Sequence, residues 1–104
     1  MGQTHNKLVR DKIPEIITSH GETPVTRVLN EAEYRHELLK KLVEEATELL
    51  ESNGSLEERA DVAEVLRALD ETLQVDSREL EAMRAKKAVD RGAFRDRIYL
   101  EKTV

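Results

Sequence analysis

A chain of 104 residues is long enough for one domain, expected over residues 1–104, that buries roughly two thirds of its unfolded surface. Cysteine is absent, which excludes a disulfide framework and any thiolate site, and Tyr34, Phe94 and Tyr99 are the only aromatics, which favours aliphatic helix-on-helix packing over an aromatic-rich sheet. The net charge of −5 divides into an acidic centre (13 acids and 5 bases in residues 31–71) and a basic tail (7 bases and 3 acids in residues 84–102), which excludes a continuous basic surface for a nucleic acid polymer.

No apolar run approaches the ~20 residues that a bilayer requires, and Asn6 stands where the myristoylation pattern needs Ser or Thr. A cytoplasmic protein without a membrane partner is the expectation.

In chain order, Asp11 is a candidate cap and Pro14 suits a first turn, so a short helix is expected over residues 12–19, closed by Gly21. Pro24-Val25-Thr26-Arg27-Val28-Leu29 is β-branched and lacks a helical start signal. It reads as a short strand whose partner would be residues 97–101, the other segment of that character. Asn30 followed by Glu33 opens a long helix over residues 31–52, with Leu38, Leu42 and Leu49 at helical spacing. Ser55 followed by Glu58 opens a second, striped by Val62, Val65, Leu66, Leu69 and Leu73. Asp76 followed by Glu79 opens a third that stops at Gly92. The fold expected is all-α: an antiparallel bundle of three long helices with a short N-terminal helix and a minor two-stranded pairing of 24–29 with 97–101.

Two acidic patterns face each other across the connection between the first two long helices: Glu44-Glu45-x-x-Glu48, then Glu57-Glu58-x-x-Asp61. The row Leu38, Leu42, Glu45, Leu49 places Glu45 in an apolar stripe, and the row Glu58, Val62, Val65, Leu69 places Glu58 at the head of another. Glu48 and Asp61 follow at the shoulders, whereas Glu44, Glu51 and Glu57 point further out. Taken singly, each pattern has an ordinary explanation, a solvated helix face for the first and the N3 acid of a capping box for the second. Together, on adjacent antiparallel helices, they describe a cage, because uncompensated buried carboxylates cost several kcal/mol each. All-oxygen ligation selects Mg²⁺, or Mn²⁺, over zinc, and His5, His20 and His36 form no metal-spaced pair. The chemistry implied is hydrolysis of a phosphate ester or anhydride by an activated water.

These acids, Glu45, Glu48, Glu58 and Asp61, form an E-x-x-E then E-x-x-D pattern that resembles the MazG-like all-α nucleoside triphosphate pyrophosphohydrolases. Asn6-Lys7-Leu8-Val9-Arg10-Asp11-Lys12-Ile13-Pro14 and Lys86-Lys87-x-x-x-Arg91-Gly92-x-Phe94 are similar to the phosphoribosyl-ATP pyrophosphohydrolase-like branch, so the resemblance spans about residues 6–101. It implies Mg²⁺ on the four acids, cleavage between the α- and β-phosphates to a nucleoside monophosphate and pyrophosphate, and a homodimer or homotetramer with its site near subunit contacts. House-cleaning of non-standard nucleotides and phosphoribosyl-ATP hydrolysis are both compatible with it. A helical module that binds nucleotides or a basic partner without turnover is the alternative of a different class.

Within that reading Glu44 adjoins the cage without completing it and is the candidate to position or deprotonate the water, with Glu64 as its substitute. Lys87 and Arg91, spaced i, i+4, and Arg10 and Lys12, in the basic N-terminal motif, are the candidate phosphate ligands. Each of these bases also fits an ordinary surface role, and Phe94 is assigned to the core.

Overall fold

A computed structural model describes residues 2–104, in which four helices follow one another: α1 (Ile13–Ser19), α2 (Glu31–Glu51), α3 (Leu56–Thr72) and α4 (Ser77–Arg91). There is no strand among the described residues, so the fold is all-α.

Local chemistry sets the helix ends. Asn30 Oδ1 accepts from Glu33 N–H (2.9 Å) while Glu33 returns a carboxylate to Asn30 N–H (3.4 Å), a complete capping box at the start of α2. That helix ends where Asn53 adopts φ +57 and Gly54 N–H reaches back to Leu49 C=O at 3.0 Å. Gly21, at φ +88, closes α1 in the same way through Glu22 N–H to Ile17 C=O (3.3 Å). The cap of α1 is the backbone of Lys12, with no side-chain bond from Asp11.

The expected pairing of residues 24–29 with 97–101 is not formed. Val25 and Val28 are 97% exposed, and Arg97 takes a left-handed φ of +58 that interrupts the extended run at the other end. β-branched composition favours a strand only where a neighbour completes the ladder, and here neither segment meets one.

Residues 52–55 turn the chain so that α2 and α3 pack against each other, the principal helix–helix contact. Leu38 from α2 and Val65 and Leu69 from α3 are buried there, with Leu8, Tyr34, Leu42 and Ala68 against them. Leu8 therefore ties the N-terminal segment onto the hairpin. The third long helix does not join the other two in a bundle: α4 has no comparable packing with any other helix and leaves Leu80, Met83 and Val89 exposed. The chain is accordingly elongated, 58 × 30 × 27 Å with a radius of gyration of 18.3 Å. A compact domain of this length has a radius of about 13 Å.

With so small a core, each member carries a large share of the stability. Leu69→Ala is expected to lower the unfolding free energy by about 2–5 kcal/mol in urea titrations. A loss below about 1 kcal/mol would mean that the α2–α3 contact does not hold the fold.

Candidate metal centre

Glu45 and Glu48 lie three apart on α2 and so share a face, and Glu58 is the third residue of α3. One carboxylate oxygen from each lies within 4.8 Å of the others. Glu45 is only 8% exposed, packed in the same row as Leu38, while Glu48 and Glu58 are half-buried. Glu45 Oε2 and Glu58 Oε2 are buried without a hydrogen-bond partner. Buried carboxylate oxygens ordinarily have partners, so the two orphans single out this cluster.

Glu58 separates the two explanations for an acid at N3. Ser55 Oγ accepts from Glu58 N–H (3.2 Å), which is the backbone half of a capping box. The carboxylate does not return to Ser55, whose N–H donates instead to Ser52 Oγ at 3.1 Å. Glu33, with the same spacing from its cap, closes its box and also accepts from Arg27 Nη2 at 3.0 Å. The two N3 acids consequently shift in opposite directions. Hydrogen bonds from Arg27 and the Asn30 backbone hold the Glu33 carboxyl below its ordinary value. Burial first, and then the charges of Glu48 and Asp61, push the Glu58 carboxyl up.

Glu45 is pushed up for the same reasons, burial first and then Glu48, with Lys41 opposing. Lys41 Nζ stands 3.7 Å from Glu45 Oε1, an attraction of about 4 kcal/mol at an effective dielectric of about 20. A carboxylate at the 4.8 Å limit of the cluster repels by about 3 kcal/mol on the same scale. One lysine therefore roughly cancels one glutamate, and desolvation decides the direction. Lys41 escapes the motif reading, though its i, i+4 relation to Glu45 is visible in the sequence.

The fourth acid of the expected cage is not in the cluster. Asp61 Oδ1 accepts from Arg10 Nη2 at 2.8 Å. Glu44 sits at the edge, 4.0 Å from Lys41 Nζ, and lines a cleft of about 420 Å³ between α2 and the N-terminal segment. Asn6, Lys7 and Leu8 form one wall of that cleft, and Lys40, Lys41 and Glu44 are on the other. Lys41 is thus a base beside Glu45, and Lys7 and Lys40 line the cleft with it. Glu64 is exposed, as are Lys12, Lys87 and Arg91, and among the described residues no ion pair joins any of those three bases to the acids. His5, His20 and His36 are exposed.

One carboxylate oxygen from each of three glutamates is a set that could hold a hard divalent cation. The residues present fit Mg²⁺ or Mn²⁺, for which open positions would be filled by water or phosphate oxygens.

Over 43 residues the chain is 54% identical to an uncharacterized protein of Mycolicibacterium smegmatis, a match covering 41% of this chain and 44% of that relative. The aligned stretch is thus under half of either protein. No family model matches the chain, and no solved structure matches it.

Folding raises the Glu45 and Glu58 carboxyls above the ordinary 4.5, so the folded state holds these protons more tightly than the unfolded state does. Their contribution to stability therefore falls as pH rises from 4.5 through the raised values. In EDTA at neutral pH, Glu45→Gln is expected to raise the melting temperature over wild type, and the gain should shrink as the pH is lowered toward 4.5. A lower melting temperature for the variant at neutral pH would mean that the carboxylate is held by a structural bond.

Proposed function

We propose that Glu45, Glu48 and Glu58 hold Mg²⁺, with Mn²⁺ as a substitute, and that the chain is a MazG-like nucleoside triphosphate pyrophosphohydrolase. It would cleave the α/β phosphoanhydride of a non-standard nucleotide to give a nucleoside monophosphate and pyrophosphate. The observation that carries the reading is the convergence of carboxylate oxygens of Glu45, Glu48 and Glu58, two of these carboxylates each keeping a buried oxygen without a hydrogen-bond partner. The motif resemblance supplies the substrate class and the bond cleaved.

The bound cation would neutralise phosphate oxygens and lower the pKa of a coordinated water. The chain's own residues do the rest. Glu44 lines the cleft and precedes Glu45 in the chain, and in this reading it accepts the proton of the attacking water. Lys7, Lys40 and Lys41 line the cleft and orient the phosphates, with Arg10 and Lys12 of the N-terminal segment as further candidates. Lys87 and Arg91 lie on α4, and serve the phosphates only if another copy of the chain brings them in.

Association into a homodimer or homotetramer belongs to the same reading. Its support is the elongated shape and the exposed Leu80, Met83 and Val89 of α4, a surface that water disfavours. α4 and the tail are basic and α2 and α3 acidic, so the charges of two copies complement each other.

The test is a panel of standard and modified nucleoside triphosphates with Mg²⁺, with pyrophosphate measured against orthophosphate. Pyrophosphate should be the first product, and orthophosphate in its place would contradict the bond assignment. Glu44→Gln should lower kcat by about 10²–10⁴-fold while Mg²⁺ still raises the melting temperature. An unchanged kcat would remove Glu44 from the reaction. Sedimentation should give a species of two or four times 11.9 kDa, and a monomer would sink the association.

A further inference from the structure

Among the described residues, Lys41 alone pairs with an acid of the glutamate cluster: its Nζ stands 3.7 Å from Glu45 Oε1 and 4.0 Å from Glu44 Oε2. Both separations are too long for a hydrogen bond, so charge alone holds the ammonium there. Lysine before glutamate at i, i+4 is the weaker order for such a pair, because helical side chains lean toward the N-terminus and this one must reach the other way. Yet only 19% of the Lys41 side chain and 10% of the Glu45 side chain are exposed, so water screens the attraction less than at an open surface. Glu45 meets Glu48 and Glu58 within 4.8 Å and keeps a buried Oε2 without a partner. One positive charge thus stands beside three negative ones, close enough to matter and at hydrogen-bond distance from none.

We propose that Lys41 is a built-in competitor of the cation: ammonium and cation contend for Glu45, so that Lys41 steadies the hairpin when no divalent ion is bound and sets how tightly one binds. The proposal rests on the metal reading above. A divalent ion among the three carboxylates carries twice the charge of the ammonium and bonds their oxygens directly, so it repels Lys41 and takes its place. The four-carbon stem lets the ammonium withdraw, and the cleft that Lys41 already lines lies beside it. Without the ion, the ammonium relieves part of the repulsion among the glutamates. With Lys41 in contention, the ion binds less tightly than the acids alone would hold it. Lys41 is therefore a positioning residue, acting on the site through Glu45.

Mn²⁺ is the probe, its binding read by electron paramagnetic resonance on the full chain, beside melting curves in EDTA. Lys41→Met removes the charge and keeps the helix propensity. It should tighten Mn²⁺ binding by about three- to ten-fold and lower the melting temperature in EDTA. Lys41→Arg should return both toward wild type. Lys86→Met removes the same unit of charge from α4, where Lys86 pairs with Asp90 at 3.2 Å, and should leave Mn²⁺ affinity within about two-fold of wild type. Equal or weaker Mn²⁺ binding by Lys41→Met, with wild type binding normally, would overturn the competition and leave the metal centre standing. A gain matched by Lys86→Met would trace the effect to net charge and overturn it as well. Absence of Mn²⁺ binding by wild type would overturn both the competition and the metal centre. Should Lys41→Met fail to fold, wild type serves instead: acetylation of the Lys41 amine, followed by mass spectrometry, should speed up relative to Lys86 on saturation with Mg²⁺. An unchanged ratio would overturn the competition.

Discussion

When α2 closes on α3, the row that buries Leu38 also takes Glu45 out of water, and the packing cannot form without it. The turn at residues 52–55 sets Glu58 at the start of α3, capped through its backbone by Ser55, so that its carboxylate is free to meet Glu45 and Glu48. Stability and the acidic cluster thus come from one contact. A side chain chosen for packing alone would be leucine or valine at position 45, because a buried carboxylate opposes folding unless something compensates it. Lys41 compensates one negative charge and leaves the second oxygen of Glu45 without a partner. The remainder is uncompensated within the chain, which is the physical reason for proposing that the cluster holds a divalent cation.

The rest of the chain arranges charge around that contact. The acids concentrate on α2 and α3, and the nearest bases come from the segment before α1 and from α2 itself. The net-basic α4 and tail stand apart from the hairpin, with large apolar side chains exposed. An acidic cluster with bases along one edge suits a small polyanion held partly through a metal.

Much of this was legible in the residues, and what was not has identifiable physics behind it. The helices follow from periodicity and caps, both local, and the burial of Glu45 beside Leu38 follows from counting along one helical row. Ser55 and Glu58 show the limit of local motifs. Their spacing is that of Asn30 and Glu33, yet only the latter pair closes a full box, because Ser52 reaches the Ser55 N–H and burial holds Glu58 elsewhere. Strand propensity misleads at residues 24–29 and 97–101, because it expresses a fit to a sheet, and there is none among the described residues. The Arg10–Asp61 pair joins residues far apart in sequence, and no spacing rule reaches that distance. Lys41, one turn before Glu45, is a local i, i+4 partner that an acid-only motif does not include.

The central claim is that the unpartnered oxygens of Glu45 and Glu58 exist for a cation, and its most direct test is a crystal grown with Mn²⁺ and measured at a wavelength where manganese scatters anomalously. The expected result is an anomalous peak bonded by carboxylate oxygens of Glu45, Glu48 and Glu58. A map with no peak there, in crystals where lysine or arginine side chains from the same or another copy satisfy those oxygens, would contradict it.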